Sequence, residues 1–193
     1  LASTAREVKQ ILHNNEVLIN GRRVKDVKFG VGLFDVLAVK EINEYYRVVL
    51  TKKNKLALVS IKSAEAKILP LRVKSKTTIR GGKNQINFTN GWNLLDKASH
   101  AIGTTVLFDI AKQKPSKDLK LKKGAVVTLV AGKYVGRLAK VEEIKSEGKL
   151  RKRKLAHLTS IGKSSDADAA FSTTADNLFV VGDAKAEFTS VEE

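Results

Sequence analysis

From residue 16 to residue 182 the chain meets turn signals so often that only short strands fit between them. Asn20-Gly21, Gly81-Gly82 and Asn90-Gly91 pair residues that tolerate positive φ and reverse the backbone in a tight turn. Lys52-Lys53-Asn54-Lys55 reads as a polar turn. Gly30 and Gly32 punctuate one loop, Pro115-Ser116-Lys117-Asp118 reads as another, and Gly132 and Gly136 bound a further turn. The runs between them are rich in β-formers, over 16–19, 33–39, 45–50, 56–61, 71–79, 85–88, 106–110, 125–130, 137–144, 171–173 and 178–181. Short strands at this spacing predict small barrels rather than βαβ units. One helix is predicted, over 3–13. Thr4 and Glu7 have capping-box spacing, and Ala5, Val8, Ile11 and Leu12 form one apolar stripe. A single helical turn is expected over 63–67. The fold class is therefore mostly β with a short N-terminal helical element.

Charge is the second constraint. The chain has 36 Lys and Arg against 20 Asp and Glu, a net of +16, which favours polyanions. Residues 45–120 carry 16 basic and four acidic side chains, so three quarters of the excess lies there. The predicted organisation is an N-terminal module over 1–44, a basic β-rich domain over 45–120, a β domain over 121–182 and an acidic, frayed tail over 183–193. Hydrophobic residues make up 42%, enough for a core. No apolar run approaches the roughly 18 residues that span a bilayer. No cysteine occurs, which removes disulfides and thiolate metal sites. No methionine occurs either, so Leu1 reads as a position inside a longer gene product. With no export signal visible, the default compartment is the cytoplasm.

Three groups of residues form the candidate site. On the helix and the following hairpin turn, Thr4, Arg6, Lys9, Gln10, Asn20, Gly21, Arg22, Arg23 and Lys25 supply donors and positive charge for phosphate. The competing account is a plain helix and hairpin with Arg22 and Arg23 in surface salt bridges to Glu16 or Asp26. In the middle segment, Arg72, Lys74 and Lys76 alternate along a strand and should share one face, followed by Arg80 and Lys83 at a glycine turn. No acid occurs from residue 66 to residue 95, which turns an ordinary solvated face into a candidate phosphate track. The last segment adds Lys133 and Arg137 around the glycine turn, and Arg151 and Arg153 in a basic run. His13, His100 and His157 have no ligand spacing, so no metal or other cofactor is predicted. No nucleophile–base arrangement and no phosphate-binding loop signature occurs, so no catalytic residue is assigned. Trp92 reads equally as a core anchor or a stacking face.

Several of these segments resemble known modules. The helix, the strand over 16–19 and Asn20-Gly21-Arg22-Arg23-Val24 resemble the S-four-type RNA-binding domain of ribosomal proteins, pseudouridine synthases and some tRNA synthetases. Residues 122–144 resemble a KOW motif, with Ala125 and Ala139 departing from its usual residues. The order of the parts is more specific: the S-four-like start, Asp35-Val36 after a glycine loop, Arg80-Gly81-Gly82-Lys83, Asn90-Gly91-Trp92-Asn93, the KOW-like segment and Leu178-Phe179-Val180-Val181-Gly182. Over residues 2–182 it is similar to the archaeal and eukaryotic eS-four family of small-subunit ribosomal proteins. That resemblance implies an S-four-like module, a central β domain and an SH3-like KOW barrel. It also implies a non-enzymatic, monomeric constituent of the small ribosomal subunit that binds ribosomal RNA beside neighbouring proteins, with no membrane and no small-molecule substrate. A free KOW-containing transcription or translation factor, and an RNA-modifying enzyme with an S-four-like domain, are the alternatives.

Overall fold

The computed structural model describes residues 2–96, 100–147, 153–161 and 170–190. Its first element is α1 (Ala5–Asn14), capped by the Thr4 hydroxyl, which accepts from the Glu7 amide at 3.3 Å. The Glu7 carboxylate reaches back to accept from the Ser3 amide at 2.8 Å, and that bond, followed by one from the Thr4 side chain to the same carboxylate, holds its pKa below the usual value. Leu12 of the apolar stripe is buried.

Five antiparallel strands follow: β1 (Val17–Ile19), β2 (Arg22–Arg23), β3 (Val36–Val39), β4 (Glu44–Leu50) and β5 (Leu56–Ser60). They form a sheet in the order β2-β1-β3-β4-β5. The predicted Asn-Gly turn is present, with Asn20 at φ 50° and Gly21 at φ 78°. The module does not stop at residue 44, because β4 pairs with β3 and β5 pairs with β4. Arg47, Lys52, Lys53 and Lys55 therefore belong to the first sheet, and the positive charge is not a property of the central domain alone.

After a helical turn, α2 (Ser63–Ala66), the central sheet contains β6 (Ile68–Thr78), β7 (Asn84–Phe88), β8 (Asn93–Asp96), β9 (Thr105–Asp109) and β10 (Lys114–Leu119), in the order β10-β9-β6-β7-β8. The 11-residue β6 serves two partners. Ile68–Arg72 pairs with β9, and Val73–Thr78 pairs with β7. The segment around Pro115 is a strand, not the predicted loop. It lies on the sheet edge, and its register shifts between Pro115 and Lys117, where the proline's missing N–H costs no ladder bond.

The last sheet contains β11 (Val126–Leu129), β12 (Leu138–Glu147), β13 (Arg153–Ile161), β14 (Ala170–Thr174) and β15 (Leu178–Gly182), in the order β14-β13-β12-β11-β15, with a short 3-10 turn at Ala175–Asn177. Sequence reading missed β13, whose start it took for part of a basic run.

Of three hydrophobic clusters among the described residues, a small one of Val36, Ile61 and Ala66 lies under the first sheet, and the other two explain why the segments stack as they do. Leu69, Leu71, Val73, Ile86, Phe88, Val106 and Phe108 form the central one, with Trp92 edge-on to Phe108 at 5.9 Å, so Trp92 is a core anchor. The larger core lies within the last sheet and also takes Leu107, Leu119 and Phe34. Alternate residues of β9 thus face opposite cores. The tail beyond residue 182 is not frayed over its described part. Phe188 is buried against Phe34 (ring centroids 5.5 Å apart), and Ser190 is buried with its hydroxyl 3.1 Å from that of Thr128. Thr189 donates through its amide to Glu65 at 2.6 Å.

Candidate nucleic-acid interface

The helix residues named as candidates are all exposed: Thr4, Arg6, Lys9 and Gln10. Spacings of three and four along α1 put Arg6, Lys9 and Gln10 on one side. Thr4 already uses its hydroxyl oxygen as the helix cap. Arg22, Arg23 and Lys25 are exposed, and none of them forms an ion pair with a described residue. The expected competitors have other partners: Glu16 binds Lys40 at 2.7 Å, and the Asp26 carboxylate accepts from the Lys28 amide at 2.9 Å.

Two turn residues have structural work instead. Asn20 is buried. Its side-chain NH2 donates to Asp35 Oδ1 at 2.9 Å, and its Oδ1 accepts from the Val36 amide at 2.9 Å. Asp35, also buried, accepts a further bond from the Gly32 amide at 2.7 Å. The Asn20 amide therefore closes an internal network and is not available to a phosphate, which corrects its assignment as a ligand. Gly21 lies against the central domain; a Cβ there would stand 2.6 Å from Ile110 Cγ2.

The middle segment carries the largest correction. Arg72, Lys74 and Lys76 do not share a face. The register slips between Val73 and Ser75, so Lys74 is the extra residue of a β-bulge. Past the bulge the alternation inverts: Val73 lies opposite Phe88 and Lys76 opposite Ile86, which puts Lys76 on the side of Val73 rather than of Arg72. Arg72 turns to the last sheet, where it donates to the Asp176 carbonyl at 2.7 Å and the Ala175 carbonyl at 3.1 Å. Partial burial pushes its pKa down, offset in part by Asp176. It is a bracket between two sheets. Lys74 and Lys76 remain exposed, and so do Arg80 and Lys83 at the Gly81-Gly82 turn, which the Ile79 amide closes on the Lys83 carbonyl at 2.9 Å.

In the last sheet, the Lys133 ammonium and the Arg137 guanidinium lie 5.7 Å and 5.6 Å from the Tyr134 ring centroid, and Tyr134 stacks on Phe171 at 4.2 Å. Arg151 lies outside the described residues, as does the side chain of Arg153, whose backbone opens β13 opposite Glu147. His100 is buried against Asp118, with Nδ1 2.7 Å from the carboxylate. Lys52, Lys53 and Lys55, which sequence reading did not name as candidates, are exposed at the β4–β5 turn. The available signal was the absence of any acid from residue 45 to residue 64.

What results is a set of exposed cations on three sheets, several of them without internal counter-charge. Comparison with known proteins gives this pattern a context. Residues 42–115 match the model of ribosomal family S4e. The chain is 41% identical over 144 residues to the small ribosomal subunit protein eS4 of Nanoarchaeum equitans, covering 75% of this chain and 62% of the relative. It is 33% identical to the eS4 protein of Methanosphaera stadtmanae, over 96% of this chain and 74% of the relative. The crystal structure of the 30S ribosomal protein S4e from Thermoplasma acidophilum superimposes with a TM-score of 0.77 at 27% identity, covering 95% of this chain and 89% of that one. With sequence and three-sheet architecture agreeing over nearly the whole length, the chain belongs to ribosomal family S4e.

Proposed function

We propose that the chain is a structural constituent of the small ribosomal subunit that binds ribosomal RNA through its exposed cations and carries out no chemistry. The observation that supports this most directly is that Arg6, Lys9, Arg22, Arg23, Lys25, Lys74, Arg80, Lys83 and Lys133 form no ion pair with any described residue. Cations held without carboxylates leave a positive surface for a polyanion. The family context adds to it, since the relatives are small-subunit proteins. The reading extends to three RNA-facing modules, with Arg22 and Arg23 at the hairpin turn acting as a clamp and the KOW-like turn as a second contact. The test is sedimentation of cell extract in a high-salt sucrose gradient. The chain should travel with small subunits in stoichiometric amount. Recovery only at the top of the gradient, or turnover of an RNA substrate by the purified chain, would refute the reading.

A further inference from the structure

Two turns that are about 80 residues apart in sequence meet at a single glycine. Gly136, in the turn between β11 and β12, is buried at φ +72°, and a Cβ there would lie 2.3 Å from the Thr51 carbonyl oxygen and 2.8 Å from the Lys52 nitrogen. Such backbone-on-backbone approach admits no side chain. It joins the β4–β5 turn of the first sheet to the glycine-bounded turn of the last.

Both turns are held in shape. At the first, the Thr51 amide donates to the Lys55 carbonyl at 2.8 Å, the Asn54 amide to the Thr51 carbonyl at 3.0 Å, and the Lys55 amide to the Thr51 hydroxyl at 3.1 Å. At the second, the Gly136 amide donates to the Leu129 carbonyl at 2.9 Å, and Lys133 and Arg137 flank the Tyr134 ring. Neither turn contains a carboxylate: no Asp or Glu occurs from residue 45 to residue 64 or from residue 124 to residue 141. Lys53, Lys55 and Lys133 are exposed and form no ion pair with a described residue.

We infer that Lys52, Lys53 and Lys55 on one turn and Lys133 and Arg137 on the other form one composite site for a single run of RNA sugar-phosphate backbone, with Gly136 as the joint. The inference rests on the RNA-binding reading above and adds to it a place and a geometry. Holding Lys53, Lys55 and Lys133 on two joined turns with no ion pair to a described residue is unfavourable in the free protein and favourable when a polyanion spans them. A backbone with regularly repeating charge suits point-charge lysines on two fixed turns better than an isolated carboxylate does.

The chain has no cysteine, so single cysteines can be placed at will. Lys53→Cys, Lys133→Cys and, as an independent position, Arg23→Cys are each tethered to an iron chelate. Each is then bound to small-subunit ribosomal RNA transcribed from the Methanosphaera stadtmanae sequence, and the positions of hydroxyl-radical cleavage are mapped. Residues 53 and 133 should cut overlapping windows of one RNA strand. In addition, replacing Lys52, Lys53 and Lys55 together by Ala should reduce the steepness of log affinity against log salt by roughly 2 to 3. Cleavage from residues 53 and 133 in separate RNA segments would overturn the composite site. Cleavage from residue 23 alone would overturn it too. Failure of the parent chain to bind the transcript at all would sink the RNA-binding reading, and the composite site with it.

Discussion

At the scale of single residues, the Asn20-Gly21-Arg22-Arg23 turn divides its labour. Asn20 holds the turn to Asp35 and Val36, while Arg22 and Arg23 face solvent. Asn20→Ala should lower stability by about 1–3 kcal/mol in urea denaturation, because the buried Asp35 carboxylate loses a donor and the Val36 amide an acceptor. The Arg22→Ala, Arg23→Ala double variant should fold as the parent does yet show a salt dependence of RNA affinity shallower by roughly 1.5. An unchanged slope would show that the turn does not meet RNA. Arg47 is the opposite case, a cation with no exposed surface. Its Nη2 donates to the carbonyls of Glu65 at 3.1 Å and Ile68 at 2.9 Å, and its guanidinium lies 5.2 Å from the centre of the Phe188 ring. Burial pushes its pKa down to about 10, with Glu65 opposing. The folded value lies below the unfolded one, so the cost of keeping the buried guanidinium charged is constant below about pH 10 and is relieved only as pH climbs above that value. Arg47→Ala should cost about 2–5 kcal/mol, since the carbonyls of Glu65 and Ile68 lose their donor and a cavity is left in place of a fully buried side chain.

At the scale of elements, the bulge at Lys74 decides which cations of β6 can serve RNA. Arg72 lies before it and holds the 3-10 turn; Lys74 is the residue it extrudes. The two should therefore separate by assay. Arg72→Ala should lower the urea midpoint, because the carbonyls of Ala175 and Asp176 lose their donor. Lys74→Ala should leave the midpoint unchanged and flatten the salt slope by roughly 0.7 to 0.9, one phosphate's share. A flattened slope in the Arg72 variant with an unchanged midpoint would restore the one-face arrangement that the spacing by itself predicts.

At the scale of the whole molecule, the three sheets are bound into one unit. Phe34 of the first segment, Leu107 and Leu119 of the central sheet, and Phe179 and Phe188 of the last segment share a core. Three small independent cores would each be marginal, and would melt apart. The shared core predicts a single calorimetric transition whose van't Hoff and calorimetric enthalpies agree. Phe188→Ala should lower that transition, at a cost of about 3–5 kcal/mol, without splitting it. Resolved separate transitions in the parent chain would refute the shared-core account. Small-subunit ribosomal RNA, if it binds the folded chain preferentially, should raise the transition temperature by mass action; bound RNA with no shift would contradict this.

The sequence by itself determined whatever depends on neighbours along the chain. The Thr4 cap, the Asn20-Gly21 turn and most of the strands follow from local φ preference and apolar alternation, which a short window contains. The basic, β-rich character and the family follow from composition and motif order. Tertiary structure alone decided which module owns β4 and β5, because strand pairing is a choice between distant partners. It decided that Pro115 lies in an edge strand, that Phe188 and Ser190 are buried, and that one extra residue at Lys74 reverses the faces beyond it. It also decided that Asn20 and Arg72 are structural while Lys52, Lys53 and Lys55 are exposed beside Gly136. Charge can be counted along a chain, but whether a cation meets a carbonyl, a ring or solvent depends on what the fold packs against it. Desolvation and the need to satisfy every buried polar group make that choice.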